Sequence, residues 1–183
     1  MIIHRLNSSD IYHRDLKPEN FLVRTEKNGR IYLHLNDFGL AKKTNPDYTR
    51  ITSSIGAIKG TVEYLAPEIL SSSLAKPNIS KQDVWSIGVI AYQMCTLRLP
   101  FKSEHAGATA AAILNNPHDP ILHKLYSDEL KDIINRLLTK DPEKRPSIHE
   151  LIKAPIIQNA LEILIKEFEG KIFFELRNSL ILK

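Results

Sequence analysis

The sequence predicts a mainly α fold with one short β-hairpin, and three observations support this prediction. The run at 84–95 is apolar on nearly all of its faces, as expected for a helix buried in the middle of a domain. Helix-start signals recur after it, at Ser127 and again at Ser147. One pair of short runs rich in β-forming residues, at 21–23 and 31–35, flanks a polar turn of the kind that closes a hairpin.

Length and composition indicate one soluble globular domain of 183 residues. The net charge of +4 comes from 25 basic and 21 acidic residues that are interspersed, so nucleic-acid binding is not expected. The single cysteine, Cys95, cannot form an internal disulfide, which favours a reducing compartment. The sequence shows neither a secretory signal nor the run of about eighteen apolar residues that a membrane span needs. We therefore expect an intracellular, cytoplasmic protein without a membrane contact.

The first part of the chain is predicted to contain one hairpin and one long loop. Residues 1–10 show no clear pattern, although their last three, Ser8-Ser9-Asp10, are typical of a turn. The predicted hairpin should place Asn20 and Asp37 near each other at its open end. From 40 to 65 the chain is polar, rich in hydroxyls and poor in periodicity, which predicts a long loop of the kind that usually has a function.

The second part of the chain is predicted to be helical. Ser80 is expected to cap the buried helix, and further helices are predicted at about 103–115 and 127–139. Ser147 begins the pattern of a capping box that opens another short helix. Between 160 and 183, apolar and charged positions alternate at roughly helical spacing, so one or two amphipathic helices are expected there.

The residues with the clearest chemistry lie in two short runs. Phosphoryl transfer from a nucleotide needs a carboxylate that orients the attacking hydroxyl, oxygen ligands for magnesium, and a cation near the moving phosphate. Asp15 can supply the carboxylate and Lys17 the cation. Asn20 and Asp37 can supply the oxygen ligands. The two runs are Tyr12-His13-Arg14-Asp15-Leu16-Lys17-Pro18-Glu19-Asn20 and Asp37-Phe38-Gly39.

These runs resemble the catalytic-loop and metal-loop motifs of the eukaryotic protein kinases. The resemblance implies that the chain transfers the terminal phosphate of ATP, with Mg²⁺, to a protein hydroxyl. It implies catalytic roles for Asp15 and Lys17, and a second role for Lys17 in contacting the nucleotide. It also implies that Asn20 and Asp37 bind magnesium and that both therefore contribute to nucleotide binding. Leu22 matches a residue that lies under the adenine ring.

Two features of the resemblance indicate a serine/threonine kinase. Tyrosine kinases usually lack a lysine at the position of Lys17. In serine/threonine kinases the threonine that matches Thr61 hydrogen-bonds the catalytic aspartate and lysine, so Thr61 is expected to join the catalytic group. His13 is expected to be structural, because its counterpart packs against the phenylalanine that matches Phe38.

Three distant residues extend the resemblance. Glu68 and Arg145 match an ion pair that joins the end of the activation segment to a late helix. Asp83 matches an aspartate that holds the backbone of the catalytic loop from below. The resemblance therefore predicts a protein-kinase-like C-lobe, a partial kinase domain, at 1–155, followed by a helical extension at 156–183.

The long loop contains candidate sites for phosphorylation. By resemblance, Arg14 would be free to pair with a phosphate added to this segment. The candidate acceptors are hydroxyl side chains in the loop: Thr49, Thr52, Ser53 and Ser54.

The nucleotide-clamping lobe of the family has no counterpart in this sequence. Only fourteen residues precede Asp15, and the seven glycines contain no Gly-x-Gly-x-x-Gly spacing. Lys59 ends a run that mimics the strand bearing the phosphate-binding lysine, but its place after Asp37 rules it out. We therefore expect the N-terminal β-rich lobe to be absent and the chain alone to be weak or inactive as a kinase.

By resemblance, the helix that usually precedes the catalytic loop and packs beside the buried helix is missing or reduced to residues 1–10. Apolar surface around 85–97 should therefore be uncovered, where a protein partner could bind. The alternative interpretation is therefore a non-catalytic, kinase-like scaffold or binding module. A third is a fragment of a longer, active kinase. The intact chemistry of Asp15, Lys17, Asn20 and Asp37 weighs against the scaffold, because degenerate kinases commonly lose one of these residues.

Overall fold

The computed structural model describes residues 2–25, 31–43, 61–71, 79–122 and 124–167. The chain divides into two compact units, Met1–Ile148 and His149–Lys183. The candidate phosphorylation sites at 49–54 and the helix predicted beyond 167 lie outside the described residues. The division into a domain at 1–155 and an extension at 156–183 stays a prediction.

Helices dominate the described residues, so the prediction of a mainly α fold is confirmed. The helices, in chain order, are α1 Ile2–Asn7, α2 Pro67–Leu70, α3 Gln82–Thr96, α4 Ala106–Asn115, α5 Asp128–Leu137, α6 Ile148–Lys153 and α7 Pro155–Glu167. The strands are β1 Ile11–Tyr12, β2 Phe21–Thr25, β3 Ile31–Leu35 and β4 Lys42–Lys43. They form two antiparallel pairs, β1 with β4 and β2 with β3.

The predicted hairpin is present as β2 and β3. Its register runs from Phe21 opposite Leu35 at the open end to Thr25 opposite Ile31. Just beyond the open end, the backbone N–H of Asn36 donates a 2.8 Å hydrogen bond to the carbonyl of Asn20. The hairpin therefore brings the chain just before Asp37 against Asn20, as the sequence predicts.

The helix α3 forms the centre of the core. Its side chains Val84, Trp85, Val89 and Tyr92 are buried, and they belong to a cluster that also includes residues of α4 and α5. The helix reaches α5 closely at Gly88, where a Cβ atom would lie 2.8 Å from Cβ of Leu137. Glycine is required there because no side chain would fit between the two helices.

The N-terminal end of α3 differs from the prediction. Lys81, rather than Ser80, occupies the N-cap position, and it makes no side-chain cap hydrogen bond. At the other end Leu97 adopts a left-handed conformation with φ of 57°, and its N–H donates to the carbonyl of Gln93. The expected uncovered surface is restricted to this end, because Met94 and Leu97 are exposed whereas Trp85 is fully buried.

The other predicted helices are present with small shifts in their ends. α5 begins directly after Ser127, whose hydroxyl accepts a 3.3 Å hydrogen bond from the N–H of Leu130. α4 begins at Ala106, three residues after Ser103, with His105 in the N-cap position. The N–H of Ser103 donates instead to the hydroxyl of Thr109, inside that helix.

Four short elements, α1, α2, β1 and β4, were not predicted from the sequence. α1 occupies part of the stretch in which no pattern was evident, and its six residues are too few to show a helical period. β1 and β4 contain two residues each, and their pairing joins Tyr12 to Lys42 across the chain. The turn predicted at 8–10 is present.

The second unit contains most of α6 and all of α7. α6 begins directly after Ser147, as predicted, and α7 begins at Pro155, five residues before the predicted start. Proline is favoured in the first turn of a helix, where its missing N–H has no partner to lose. Within the described residues, no helix is both long and apolar enough to cross a membrane.

Candidate active site

The carboxylate of Asp15 is the point on which the candidate site converges. Its Oδ2 lies 2.9 Å from Nζ of Lys17, and its Oδ1 accepts a 3.3 Å hydrogen bond from the backbone N–H of Thr61. Asn20 donates from Nδ2 to the backbone carbonyl of Asp15 at 2.7 Å and lies 3.4 Å from Oδ2. The structure thus brings together four of the residues predicted from the sequence.

Lys17 links the two sides of this group. Its Nζ donates to the hydroxyl of Thr61 at 2.9 Å as well as pairing with Asp15. The hydrogen bond with Asp15 raises the pKa of the Lys17 ammonium above its ordinary value. Lys17 is therefore cationic at neutral pH, as the predicted role beside a phosphate requires.

Asn20 and Asp37 present oxygens of the kind that magnesium prefers. Because Nδ2 of Asn20 is held by Asp15, its Oδ1 is the atom left for a metal ion. Asp37 is exposed, has a φ of 56°, and accepts a 3.1 Å hydrogen bond at Oδ1 from the N–H of Gly39. An amide oxygen and a carboxylate are hard ligands that fit Mg²⁺, which usually takes its remaining ligands from water and phosphate.

No group of three or more His, Cys, Asp or Glu side chains able to hold a metal ion occurs among the residues that the structure describes. Two protein ligands at Asn20 and Asp37 would suit a metal ion that arrives with a nucleotide, since the phosphates would complete its coordination. The metal-binding role of these two residues remains a prediction.

The backbone before Asp15 is held by a buried carboxylate. Asp83, at the start of α3, accepts hydrogen bonds of 2.9 Å from the backbone N–H groups of His13 and Arg14, one on each oxygen. Burial raises the pKa of Asp83, and these two hydrogen bonds oppose that shift by stabilising the charged form. Asp83 therefore holds the backbone of the predicted catalytic loop, as the sequence predicts.

The ring of His13 is buried and lies edge-on to the ring of Phe38, with centroids 5.0 Å apart. Its Nε2 lies 3.2 Å from the carbonyl of Asn36, so this nitrogen carries the proton that is donated. His13 therefore joins the catalytic loop to the segment that carries Asp37. These contacts support a structural role, as the sequence predicts.

Glu68 and Arg145 form a buried, bidentate ion pair. The guanidinium donates from Nη1 and Nη2 to the two carboxylate oxygens at 2.7 and 2.9 Å. Its remaining donors reach three backbone carbonyls, and its plane lies over the ring of Trp85 with Cζ 5.0 Å from the centroid. Those carbonyls belong to Lys81, Thr139 and Lys140. All five N–H donors of Arg145 are satisfied.

Leu22 is a further residue that was predicted to belong to the site. It is on β2, next to the open end of the hairpin, and about half of its side chain is exposed. Its predicted contact with an adenine ring remains a prediction.

Several residues that support the site were not identified from the sequence. Gln82 donates from Nε2 to the carbonyl of Arg14 at 3.3 Å, and Ser86 donates to the carbonyl of Tyr64 at 2.8 Å. The hydroxyl of Tyr64 donates to Gln93 at 2.9 Å. Gln82, Ser86 and Gln93 all lie on α3. The spacing of polar residues within the apolar run was the one signal that could have identified them, because buried polar side chains need hydrogen-bond partners.

Comparisons with known proteins find a matching family and several similar proteins. A family model described as the protein kinase domain matches residues 2–157. The chain is 34% identical over 167 residues to the probable serine/threonine-protein kinase nek3 of Dictyostelium discoideum, covering 91% of this chain and 14% of that protein. It is 37% identical over 141 residues to the human serine/threonine-protein kinase Nek10, covering 77% of this chain and 11% of that protein. It is 32% identical over 172 residues to human Nek5, covering 91% of this chain and 23% of that protein.

Proposed function

Because the chain belongs to the serine/threonine protein kinase family, we propose that it transfers the terminal phosphate of ATP to a serine or threonine hydroxyl of a protein substrate. One observation carries the proposal: the carboxylate of Asp15 is held by Lys17, Asn20 and the backbone of Thr61. The chain spans less than a quarter of each of the three relatives described above, so the activity of the whole protein is part of this proposal.

Asp15 acts by accepting a hydrogen bond from the substrate hydroxyl and orienting it for attack. Positioning of this kind is the main requirement, because the transition state of phosphoryl transfer is loose. The contacts on both oxygens of Asp15 hold the carboxylate in place, so little reorganisation is needed when the substrate binds.

Lys17 and the two proposed metal ligands act on charge. The ammonium of Lys17, which lies 2.9 Å from Asp15, places a positive charge where negative charge develops on the moving phosphate. Magnesium, when bound with ATP, neutralises phosphate charge. Asn20 and Asp37 would hold it through their side-chain oxygens.

The preference for serine or threonine rests on Lys17 and Thr61. The hydrogen bond between Nζ of Lys17 and the hydroxyl of Thr61 is the contact that the resemblance to serine/threonine kinases predicts. We further propose an intracellular, cytoplasmic protein, because the single Cys95 cannot form an internal disulfide, which favours a reducing compartment.

The 183-residue polypeptide on its own is proposed to bind nucleotide weakly and to transfer phosphate slowly. Its seven glycines do not include the Gly-x-Gly-x-x-Gly spacing of a loop that covers the phosphates. The leucine predicted to lie under the adenine, Leu22, is half exposed on its hairpin, so the described residues offer one side of a nucleotide site.

Magnesium-dependent nucleotide binding is the first test. A fluorescent ATP analogue is titrated into the chain with Mg²⁺ and with EDTA, and binding should require magnesium. Asp37→Asn should weaken the magnesium-dependent part of binding, whereas Asp132→Asn, a change at an exposed position of α5, should leave it unchanged. Equal binding with and without magnesium in the unmodified chain would contradict the proposal.

Phosphate transfer is the second test. Radiolabelled transfer from ATP to serine, threonine and tyrosine peptides should be slow, restricted to serine and threonine, and lowered by Asp15→Asn by about 10²–10⁴-fold. Transfer that is unchanged in Asp15→Asn would remove Asp15 from the proposed role. Rapid transfer by the isolated chain would overturn the proposal that it is weak alone.

A non-catalytic binding module is the second candidate. The exposure of the large apolar side chains of Met94 and Leu97 at the end of α3 favours it, because exposed apolar patches often mark a protein contact. In that case Met94→Lys and Leu97→Lys should abolish binding of a partner while Asp15→Asn leaves it unchanged. Magnesium-dependent nucleotide binding discriminates the two candidates, because the kinase requires it and a non-catalytic binding module does not.

A further inference from the structure

The hydroxyl of Ser86 connects α3 to the segment that carries Thr61. Ser86 is buried, and its Oγ lies 2.8 Å from the carbonyl oxygen of Tyr64. Its Oγ also lies 3.3 Å from the carbonyl of Gln82 in its own helix. A hydroxyl has one proton to donate, and the shorter distance indicates that Tyr64 receives it.

The carbonyl of Tyr64 needs this donor because of the local sequence. The residue three positions later, Pro67, has no N–H to donate. Among the residues that the structure describes, Ser86 is the donor observed for this carbonyl. A buried carbonyl left without a partner is costly, so loss of the Ser86 hydroxyl would force the backbone at Tyr64 to move or to accept that cost.

Tyr64 is rigidly connected to Thr61. Thr61 is the N-cap of a single 3₁₀ turn at Val62–Tyr64, and Tyr64 is the last residue of that turn. The N–H of Tyr64 donates to the carbonyl of Thr61 at 3.0 Å. The hydroxyl of Tyr64 is held by Gln93, also on α3. A displacement of the Tyr64 backbone would therefore be passed to Thr61 across one turn.

We propose that Ser86 is a positioning residue of the phosphoryl-transfer site. By holding the Tyr64 carbonyl it determines where Thr61 lies, and Thr61 in turn determines the hydrogen bonds on Asp15 and Lys17. The bond from the N–H of Thr61 to Asp15 is 3.3 Å long, near the limit for such a bond, so a displacement of a few tenths of an ångström breaks it. The importance of this effect for catalysis rests on the function proposed above.

The test compares Ser86→Ala with Thr96→Val. Thr96 is the control, since its hydroxyl bonds to backbone groups at the far end of α3, away from the site: to the carbonyl of Tyr92 at 2.9 Å and to the backbone of Arg98. Amide hydrogen exchange is followed by NMR at Thr61 and at the core residue Ile134. In Ser86→Ala the Thr61 amide should exchange about five- to thirtyfold faster relative to Ile134. In Thr96→Val this ratio should be unchanged.

Four outcomes would overturn the proposal. Equal acceleration of Thr61 and Ile134 in Ser86→Ala would show a loss of global stability alone. An unchanged Thr61 amide would show that Ser86 does not control it, and unprotected exchange at Thr61 in the unmodified chain would show that its bond to Asp15 is not formed. If Ser86→Ala does not fold, Ser86→Cys, which keeps a weaker donor, should raise the same ratio to a smaller extent, and no rise would overturn the proposal.

The exchange measurement needs no nucleotide and so is independent of activity. Failure of Asp15→Asn to lower phosphate transfer would refute the proposed function and leave the coupling from Ser86 to Thr61 standing. Where transfer is measurable, Ser86→Ala should lower kcat while KM for ATP stays unchanged, because the residue acts on Asp15 and makes no contact with the proposed metal ligands. An unchanged kcat together with a faster Thr61 amide would overturn the catalytic part of the proposal.

Discussion

Replacement of Glu68 by glutamine is expected to destabilise the first unit strongly. The Glu68 and Arg145 side chains are almost completely buried, with relative exposures of 1% and 0%, and their closest atoms are 2.7 Å apart. Glutamine has nearly the same shape as glutamate but no charge. The substitution therefore leaves the guanidinium of Arg145 buried without its counter-ion, and it places an NH₂ group against an Nη donor.

The expected magnitude follows from what remains around Arg145. Breaking a buried ion pair by removing one partner typically costs about 3–5 kcal/mol. Three of the five N–H donors of Arg145 keep their backbone carbonyl acceptors, and the cation keeps its contact with the face of Trp85. These contacts stabilise the remaining charge, so we expect the lower end of the range, about 3 kcal/mol.

The fluorescence of Trp85 provides the assay. It is the only tryptophan in the sequence, it is fully buried, and it lies against Arg145, so its emission reports on unfolding at this place. Urea lowers the free energy of unfolding by about 1–3 kcal/mol per molar for small proteins. A loss of about 3 kcal/mol should therefore lower the midpoint of urea unfolding by about 1–3 M.

An exposed ion pair supplies the control. Asp141 and Lys144 are 3.7 Å apart on the surface, and Asp141→Asn should change the free energy of unfolding by less than about 1 kcal/mol. A change in Glu68→Gln no larger than in this control would refute the reasoning. A double-mutant cycle with Arg145→Met should show strong coupling, because each single change leaves one buried charge unpaired and the double change leaves none.

Two further predictions concern helix packing and capping. Gly88→Ala should destabilise the chain by about 1–3 kcal/mol, because its Cβ would lie 2.8 Å from Cβ of Leu137 and 3.2 Å from that residue's backbone carbonyl carbon. Gly107→Ala is the control, because a Cβ there would have nothing within 4 Å. Equal melting temperatures for the two variants would contradict the prediction. Ser127→Ala should lower the free energy of unfolding in urea by about 1 kcal/mol, because the N–H of Leu130 loses its acceptor. Ser127→Asp should retain the cap and most of this free energy. An equal loss of free energy in the two variants would show that the cap is unimportant.

Much of the local structure could be predicted from the sequence, since it depends on near neighbours. Apolar residues on all faces at 84–95 predict a buried helix, and Ser127 predicts where α5 begins, because the signal and its effect lie within one turn. The elements that were missed, namely α1, α2 and the pair β1 and β4, are too short to show a period. The wrong cap at Ser80 has a related cause, because a hydroxyl near a helix start does not indicate which residue leaves the helical conformation.

The candidate site divides in a similar way. Asp15, Lys17 and Asn20 lie within six residues of one another, so their chemistry is visible in the sequence itself. The contact between Thr61 and Asp15 joins residues 46 positions apart, and that between Glu68 and Arg145 joins residues 77 positions apart. Both were predicted through the resemblance to a family, since no periodicity or spacing in one chain reveals contacts at such separations.

The sequence by itself determined the chemical groups of the site, the hairpin beside them and the helices that follow. The tertiary structure alone decided which buried and partly buried side chains hold the site in place, namely Gln82, Ser86 and Gln93 on α3. These side chains bond to residues 22 to 68 positions away, in the same helix that binds the catalytic loop through Asp83. Partners at such separations are chosen by the packing of the whole core, in which every buried donor and acceptor must meet another.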